Sequence, residues 1–444
     1  MEDQQEEPDA VAETVTESNE WKPSPFPRRP PAPSRARRAG RVTRRVAAGL
    51  VSLLALGASG YAYVTKDQLQ STVPTTDALT PRAGEPAPPP ADDGAEDILL
   101  VGSDARTDAQ GNALPPRMLR QLRTEANNGA VNTDTVILLR LPKNGGKASA
   151  VSIPRDTWTA IPGRGPAKIN SAYGIAKAHF AQQLRGQGER DQAKIERDSD
   201  SEGRRVLVQA VQDLTQVRID HYAEINLLGF YLLTEALGGV KVCLNHATED
   251  KDSGANFRRG EQTVSGGEAL SFVRQRKNLP RGDLDRIVRQ QAFLSSALHQ
   301  VLSAGTLTSP GTLNGLMDAV HRSLTLDPGL DLLQFAQQAK GIASGDLTFA
   351  TIPVITANGR SEDGQSIVQI DVQAVRQFVA GLAGRAAPGG STTGGGSTGG
   401  GSTGGGSTGG GLAGPIAANG GSGSGAAPAA APLLQASPGV PCVN

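Results

Sequence analysis

The middle of the chain shows two spacings of apolar residues, and each spacing predicts one kind of element. Short apolar runs predict buried strands, whereas apolar residues repeated at helical spacing predict helices. The predicted strands are DILLVG (97–102), TVILLRL (135–141), SAVSIP (149–154), HYAEINL (221–227), VKVCL (240–244), LTFATIPV (347–354) and SIVQI (366–370). Helices are predicted over 118–127, 171–184, 203–214, 228–239, 284–302, 313–323 and 330–342.

Strands that alternate with helices indicate an α/β fold. We expect a central mixed β-sheet flanked by helices on both faces, in an α/β/α sandwich. Residues 185–205 interrupt this pattern because they are dense in charge (RGQGERDQAKIERDSDSEGRR). We expect that segment to be a solvated insertion.

Both ends of the chain are rich in Gly and Pro, of which the sequence has 55 and 29, and neither end has the apolar content to bury a core. We predict a cytoplasmic tail over 1–45, a transmembrane anchor over 46–64, a Pro-rich stalk over 65–93, one catalytic domain over 94–385 and a flexible Gly/Ser/Thr-rich tail over 386–444.

The predicted anchor is an uncharged run, VAAGLVSLLALGASGYAYV. A helix of that length spans about 28 Å, close to the hydrocarbon thickness of a bilayer. Arginines precede it at positions 28, 29, 35, 37, 38, 41, 44 and 45. We therefore predict a single-pass cell-membrane protein with a cytoplasmic N-terminus and an extracytoplasmic domain. A cleaved signal peptide is the alternative, and it would export the same domain.

The charge balance and the missing motifs narrow the function. The sequence has 44 Lys and Arg against 44 Asp and Glu, so no overall field favours a nucleic-acid partner. Its five histidines have no metal-ligand spacing, and neither a G-x-S-x-G nor a P-loop pattern occurs. A hydrolase with a Ser–His–Asp triad therefore has no support.

Basic and polar residues cluster at three places within the predicted domain. SIPRD contains Arg155 and Asp156, and KIN contains Lys168 and Asn170. The third segment is FVRQRKNLPRGDLDRIVRQQ, with Arg274, Arg276, Arg281, Asp283, Arg286, Arg289 and Gln290. Each guanidinium fork can bind two oxygens, so such a cluster suits a pyrophosphate.

Two hypotheses concern the geometry of that third segment. If FVRQR is extended, Arg274 and Arg276 point to the same face. If a helix follows Asp283, Arg286 and Gln290 stack one turn apart. We expect Arg281 and Arg289 to lie on solvated faces.

Two acidic residues lie at the ends of predicted strands. Asp104 follows the first strand and Asp134 opens the second. Near an arginine cluster, such carboxylates can hold Mg²⁺ together with substrate phosphates, which is the combination that phosphoryl transfer needs. The alternatives are turn or cap roles for these acids and a surface ion pair for Arg155 and Asp156.

Five segments taken in order resemble the LytR–CpsA–Psr family: LLVGSDAR, NTDT, SIPRDTW with IPGRGPAKIN, DHYAEINLLGFYLLTEALGGVKVCL, and ALSFVRQR with GDLDRIVRQQ. The resemblance covers about 95–303 and continues more weakly to 384. It implies a Mg²⁺-dependent phosphotransferase that moves a glycopolymer from a polyprenyl pyrophosphate carrier to peptidoglycan through a phosphodiester. It also implies an apolar channel for the lipid between sheet and helices, although plain core packing explains most apolar residues there.

The resemblance also implies roles for individual residues. Asp104 and Asp134 match the carboxylates associated with metal. Arginines that match those around the pyrophosphate are Arg106, Arg155, Arg274, Arg276 and Arg286. Polar residues expected to line the same pocket are Asp156, Lys168, Asn170, Asp283 and Gln290, of which Asp283 is the candidate to accept the acceptor's proton. The chain departs from the family pattern at Asn132, where many members carry arginine, and this puts the affinity for the donor in doubt.

Two other functions remain open at this point. A pyrophosphatase would hydrolyse the same carrier-linked substrate without an acceptor. A non-catalytic wall-associated binding or regulatory protein would also suit an anchor, a stalk and a Gly-rich tail.

The sequence contains two cysteines, Cys243 and Cys442. An even count in a protein exported from the cytoplasm predicts one disulfide between them. The alternative is a buried Cys243 and a free or intermolecular thiol at Cys442.

Overall fold

The structure is a computed structural model that describes residues 73–82, 84–90, 94–124, 131–143, 147–302, 310–331, 335, 347–382, 434–435 and 440–444. In those ranges the strands are β1 (Ala95–Ser103), β2 (Thr133–Pro142), β3 (Ala148–Ser152), β4 (Trp158–Ile161), β5 (Gly165–Lys168), β6 (His221–Ile225), β7 (Val240–Leu244), β8 (Thr248–Asp250), β9 (Ala255–Phe257), β10 (Gly260–Val264), β11 (Leu324–Leu326), β12 (Leu347–Thr351), β13 (Thr356–Arg360), β14 (Ser366–Gln369), β15 (Leu434–Gln435) and β16 (Cys442–Val443). The helices there are α1 (Pro116–Gln121), α2 (Asn170–Gly186), α3 (Gln192–Thr215), α4 (Leu227–Ala236), α5 (Gly266–Arg274), α6 (Asp283–Leu302), α7 (Pro310–Ser323) and α8 (Val372–Leu382).

A sheet of seven strands forms the centre of the domain, in the order β11-β6-β1-β2-β3-β12-β15. Strand β1 pairs antiparallel with β2 and parallel with β6. Strand β3 pairs antiparallel with β2 and parallel with β12. The sheet is therefore mixed, as the sequence predicts.

Both faces of this sheet are buried, which explains the continuous apolar run of β1. Leu99 and Val101 point to one face, where residues of α2, α3 and α8 complete the core. Ile98 points to the other face and packs with Ile137 and with residues of α6 and α7. Because helices cover both faces, the predicted arrangement of a mixed sheet between helices is confirmed.

A smaller sheet, in the order β10-β7-β16, packs beside α5 and α6. Its core contains Phe257, Phe272 and Phe293. A disulfide joins Cys243 in β7 to Cys442 in β16, with the two Cα atoms 4.3 Å apart. The end of the segment predicted as a flexible tail thus pairs with the domain, and β15 pairs with the edge of the large sheet.

The prediction of a solvated insertion over 185–205 is wrong from Ile195 onward, whereas residues 185–194 are mostly exposed. Asp191 caps α3 by accepting a hydrogen bond from the Lys194 N–H at 3.1 Å, and the helix then buries Ile195 and Arg204. Charged residues enter the interior here because they meet opposite charges from other elements. The Arg204 guanidinium, for example, lies 2.8 Å from a carboxylate oxygen of Glu224 in β6.

The segment predicted as a Pro-rich stalk, 65–93, also contacts the domain where the structure describes it. Val73 and Ala78 are buried. The Thr76 N–H donates to the Leu326 carbonyl at 2.8 Å, and Arg82 pairs with Glu202. Residues 73–82 are therefore held against the domain by main-chain bonds and charge.

Several sequence predictions concern residues outside the described ranges. They are the cytoplasmic tail over 1–45, the anchor over 46–64, most of the helix over 330–342 and most of the flexible tail over 386–444. Within the described ranges, no helix combines the length and the apolar content needed to cross a bilayer.

Candidate active site

The two candidate metal ligands lie at the same end of the central sheet. Ser103 at the end of β1 pairs with Thr133 at the start of β2, so Asp104 and Asp134 approach each other. The Asn132 N–H donates to Asp104 Oδ1 at 2.7 Å, and the Asn132 carbonyl accepts from the Asp104 N–H at 3.0 Å. These two contacts use the main chain of Asn132, and the Asn132 side chain forms a further hydrogen bond with Asp104.

A turn after β3 brings Arg155 and Asp156 to this end of the sheet. The Thr157 N–H donates to the Pro154 carbonyl at 3.0 Å, which leaves Arg155 and Asp156 at the centre of the turn. The Arg155 guanidinium donates to Asp134, and Asp156 lies 3.2 Å from Lys168 Nζ. The charges therefore alternate in sign from Asp134 through Arg155 and Asp156 to Lys168.

The arginines of the third segment are positioned by helices, and the hypothesis of an extended FVRQR is wrong. Apolar residues at 269, 270 and 273 have helical spacing, and α5 continues to Arg274. At Gln275 the backbone turns out of the helix, with φ −57° and ψ 133°. Arg274 is half-buried, whereas Arg276 is exposed. These two side chains are therefore not placed by the alternation of a strand.

Helix α6 begins at Asp283 and supplies the remaining candidates, as the sequence predicts. Arg286 Nη2 lies 2.8 Å from Asp283 Oδ1. Arg286 and Gln290, one turn apart, both line the cavity described below. The side chain of Arg286 is only 3% exposed, so its charge is held largely out of water.

Burial and crowding shift the ionisation of this cluster. Burial raises the pKa of the Asp104 carboxyl, and its neighbour Asp134 raises it further. Burial also raises the pKa of Asp283, although Arg286 and Arg155 oppose that shift. Burial lowers the pKa values of Arg286 and Arg274. A bound anion would reduce the cost of burying these guanidinium groups.

Several buried polar atoms of the cluster have unused hydrogen-bonding capacity. Within the described ranges, Arg155 Nε and Arg286 Nε have no hydrogen-bond partner, whereas Arg286 Nη2 lies 2.8 Å from Asp283 Oδ1. Among the same residues, Asp283 Oδ2 has no hydrogen-bond partner either. Buried groups of this kind are normally satisfied, so their directions indicate where a polar ligand would bind.

A cavity of about 280 Å³ opens beside these charged groups. It runs between the central sheet and helices α4, α5 and α6, with Asp104, Asp134, Arg274 and Arg286 among its lining residues. The rest of the lining is mostly apolar, and includes Leu100, Ile137, Leu233, Phe293, Leu294 and Ala297. One continuous site thus combines a charged part with an apolar part.

Three other predicted residues have contacts of their own. Arg106 Nε donates to Thr124 Oγ1 at 3.0 Å. Asn170 is buried, and its N–H donates to the Arg155 carbonyl at 3.1 Å, which holds the turn in place. Gln290 Nε2 donates to the Val273 carbonyl at 3.2 Å, which links α6 to α5. These contacts support the walls of the site, and the predicted roles in substrate binding stay predictions.

The prediction of a solvated face for Arg289 is wrong, because this residue is fully buried on α6. Its guanidinium donates to Gln275 Oε1 at 2.6 Å and to the Asn444 carbonyl, and it lies over the Phe272 ring. Sequence reasoning missed both Arg289 and Gln275. The signal in the sequence that could have drawn attention to Gln275 is its position between Arg274 and Arg276. By contrast, Arg281 is exposed and pairs with Asp285, as expected.

The residues present fit a magnesium ion. No group of three or more His, Cys, Asp or Glu side chains in the described part of the chain is arranged to hold a metal. Mg²⁺, however, is commonly bound by one or two carboxylates together with phosphate oxygens and water. Burial raises the pKa of Asp104 and the Asp134 carboxylate raises it further, and a cation held by these two residues would oppose both effects.

Comparison with known proteins places this chain among cell-wall proteins. It is 46% identical over 361 residues to the cell wall biosynthesis protein LcpA of Corynebacterium glutamicum, and the alignment covers 81% of this chain and 69% of LcpA. It is 30% identical over 292 residues to the polyisoprenyl-teichoic acid–peptidoglycan teichoic acid transferase TagU of Oceanobacillus iheyensis, covering 64% of this chain and 77% of TagU.

Two solved structures are similar at low identity. Protein gbs0355 of Streptococcus agalactiae is 19% identical with a TM-score of 0.48, covering 66% of this chain and 89% of that one. TagV of B. subtilis is 21% identical with a TM-score of 0.46, covering 66% and 99%. The model of the LytR_cpsA_psr family matches residues 59–383. Because that match extends over most of the sequence, the chain belongs to the LytR–CpsA–Psr family.

Proposed function

We propose that this protein is a Mg²⁺-dependent phosphotransferase that moves a glycopolymer from a polyprenyl pyrophosphate carrier onto peptidoglycan through a phosphodiester bond. The observation that carries the proposal is the joined site, in which an apolar cavity opens beside buried guanidinium groups with unused hydrogen-bond donors. A lipid pyrophosphate matches this site, because its lipid is apolar and its pyrophosphate is charged. The name of TagU, a transferase of polyisoprenyl-linked teichoic acid, supports this substrate class.

The donor would bind with its lipid in the cavity and its pyrophosphate at the mouth. Leu233, Phe293 and Leu294 would contact the isoprene units. Arg274 and Arg286, at the charged part of the same cavity, would bind the phosphate oxygens. Binding would offset part of the desolvation of both arginines, whose pKa values are lowered by burial.

Asp104 and Asp134 would hold the Mg²⁺ ion through their carboxylate oxygens. When bound, the ion supplies Lewis-acid stabilisation of charge on the phosphate oxygens. Arg155, which donates to Asp134, would orient that carboxylate. The unpaired Nε of Arg155 remains available to a phosphate oxygen.

In the transfer step, a hydroxyl oxygen of the peptidoglycan sugar attacks the phosphorus next to the glycan. A new P–O bond forms, the bond to the bridging oxygen breaks, and polyprenyl phosphate leaves with that oxygen. Asp283 would take the hydroxyl proton, and its raised pKa favours this role at neutral pH. Arg274 and Arg286 would stabilise the charge that develops on the leaving phosphate.

The proposed setting is the outer face of the cell membrane. The uncharged run at 46–64 beside eight arginines supports a cytoplasmic N-terminus and an external domain. The disulfide between Cys243 and Cys442 is in keeping with an external domain. Membrane and peptidoglycan would then be the immediate partners, with no role for nucleic acid.

The test measures transfer of a radiolabelled polyprenyl-pyrophosphate glycan to peptidoglycan fragments by the full-length protein in detergent. We expect a labelled phosphodiester product that requires Mg²⁺, wild-type Asp134 and the acceptor. Arg218→Met is the control, because it removes an exposed cation that does not line the cavity.

Two other outcomes would replace the proposal. Release of glycan phosphate at the same rate without an acceptor would establish a pyrophosphatase. Donor binding without any turnover, unaffected by Asp134→Asn, would establish a non-catalytic binding protein.

A further inference from the structure

Arg289 is a buried cation that the proposed reaction leaves without a role. It lies three residues after Arg286 on α6, and none of its surface is exposed. Burial lowers its pKa to about 10, so it remains charged at neutral pH. Keeping a charge there is costly, and an apolar side chain of similar length would fill the same space at less cost.

Within the described residues, no carboxylate side chain bonds directly to this guanidinium. The acid nearest in sequence, Asp285, accepts hydrogen bonds from the N–H and the Nε of Arg281 at 2.9 Å and 2.8 Å. Arg289 instead donates to Gln275 Oε1 at 2.6 Å and to the Asn444 carbonyl. The Phe272 ring, with its centroid 5.1 Å from the guanidinium carbon, holds the group from one side.

Gln275 is the residue on which Arg289 acts. It lies between Arg274 and Arg276, where the chain leaves α5, and it is fully buried. Its Nε2 donates to Thr248 Oγ1 at 2.6 Å and to the Lys277 carbonyl at 3.0 Å. Because Arg289 binds the oxygen of the same amide, both polar atoms of the Gln275 side chain are held by hydrogen bonds. The backbone that carries the two flanking arginines is fixed with it.

We propose that Arg289 is a positioning residue for the transfer reaction. Acting through Gln275, it orients Arg274 and Arg276 toward the pyrophosphate of the donor. The inference rests on the proposed function, because it assumes that these arginines bind that pyrophosphate. The contact with Asn444 extends the same framework to β16, which the disulfide ties to β7.

The test uses the full-length protein in detergent and two lipid probes, geranyl pyrophosphate and geranyl monophosphate, whose dissociation constants are measured by calorimetry in Mg²⁺. The variants are Arg289→Met, Arg289→Lys, Gln275→Met and the double variant Arg289→Met with Gln275→Met. Arg218→Met, which removes an exposed cation away from the cavity, is the control.

We expect Arg289→Met and Gln275→Met each to weaken binding of the pyrophosphate about tenfold, since misplaced charge-assisted hydrogen bonds are lost. Binding of the monophosphate should change less than about twofold, because it has fewer oxygens to lose. The double variant should be no weaker than the weaker single variant, and Arg289→Lys should recover part of the loss. A general loss of stability would lower the binding stoichiometry without changing this preference.

Three results would overturn the inference. Unchanged pyrophosphate affinity in Arg289→Met, with a lower melting temperature, would show a structural role alone. Additive losses in the double variant would show that Arg289 does not act through Gln275. A wild-type protein with no preference for pyrophosphate would overturn the proposed function itself. If Arg289→Met does not fold, Gln275→Met and Arg289→Lys decide the question.

Discussion

Two groups of buried charges lie next to each other in this domain, and they differ in how their hydrogen-bonding capacity is used. The buried cluster consists of Arg204, Glu224, Tyr222 and Ser103, on the face of the sheet that packs against α2 and α3. The site cluster consists of Asp134, Arg155, Asp283 and Arg286, at the end of the sheet. Ser103 belongs to the first, and the next residue in the chain is the candidate metal ligand Asp104.

In the buried cluster, Glu224 accepts hydrogen bonds from three sides. The donors are Ser103 Oγ at 2.9 Å, Arg204 Nε at 2.8 Å and the Tyr222 hydroxyl at 2.8 Å. In the site cluster, Arg286 and Asp283 pair with each other at 2.8 Å, but Arg286 Nε and Asp283 Oδ2 have no hydrogen-bond partner among the described residues. The comparison teaches that burial of charge does not by itself mark a site. A site is marked by buried polar atoms that lie beside a cavity and lack a hydrogen-bond partner.

The largest expected effect is on stability, in the buried cluster. Arg204→Met leaves Glu224 buried without its cation, and we expect a loss of about 3–5 kcal/mol in the free energy of unfolding. Denaturant unfolding at pH 7 measures it, with Arg218→Met as the control, since that side chain is 45% exposed. Transfer activity per folded molecule should stay near the wild-type value. A loss no larger than the control's would contradict the structural assignment.

The same variant should also lose a pH dependence. Arg204 and the other donors hold the pKa of Glu224 below its usual range, although burial alone would raise it. Stability from this group is therefore present above the unfolded pKa, about 4.3, and is lost as the pH falls through the lower folded value. In Arg204→Met, that acid-induced loss should become smaller. An unchanged acid profile would show that the salt bridge does not set this pKa.

The second effect is on catalysis, in the site cluster. We expect Asp134→Ala and Arg276→Ala each to reduce transfer by about 10²–10³-fold. The free energy of unfolding should change by less than about 1 kcal/mol, because both groups are partly exposed and water screens the Asp134–Arg155 pair that one variant removes. Turnover on peptidoglycan, together with a denaturant curve, checks both parts. Near-normal turnover in one variant removes that residue from the site, and in both variants it removes the site.

Local pattern was enough to predict most of the fold. The apolar runs gave β1, β2 and β3 within a residue or two, and the helical spacing of 284–302 gave α6 almost to the residue. These elements bury apolar side chains, and apolar spacing is what a sequence displays directly. The order of strands within the sheet depends on contacts between distant segments and was not predicted.

The sequence predictions failed mainly for charged residues that are buried in the interior. The segment around Arg204 is dense in charge, and its burial depends on Glu224, which is twenty residues away in the chain. Arg289 likewise depends on Gln275 and on Asn444, 155 residues later. The number of charged residues in a segment gives no information about partners that lie far away in the chain. The candidate site was predicted better, since its residues lie at strand ends and turns that the pattern places.

The third prediction concerns the apolar part of the site. Ala297 lines the cavity on α6, about 16 Å along the helix from Arg286. Ala297→Phe should block a long polyprenyl chain beyond its first units, and each methylene left out costs about 0.8 kcal/mol. We expect at least about tenfold weaker binding of a decaprenyl pyrophosphate, with geranyl pyrophosphate nearly unchanged because it is too short to reach Ala297. Equal losses for both lipids would place the chain elsewhere.

The smallest expected effect is a change in thermal stability as protons and Mg²⁺ compete for the carboxylate of Asp104. Burial and Asp134 raise the pKa of Asp104, so this carboxyl binds its proton more tightly in the folded protein and costs stability once the pH exceeds the unfolded value. Mg²⁺ should offset that cost. We expect Mg²⁺ to raise the melting temperature by a few degrees at pH 7 and by less at pH 5, where protons compete for Asp104. Asp104→Asn should be more stable than the wild type without metal, because it removes a buried carboxylate, and it should not respond to Mg²⁺. Asp318→Asn is the control, because that exposed carboxylate lies on α7 and does not line the cavity. A full Mg²⁺ response in Asp104→Asn would move the ion away from this pair of carboxylates.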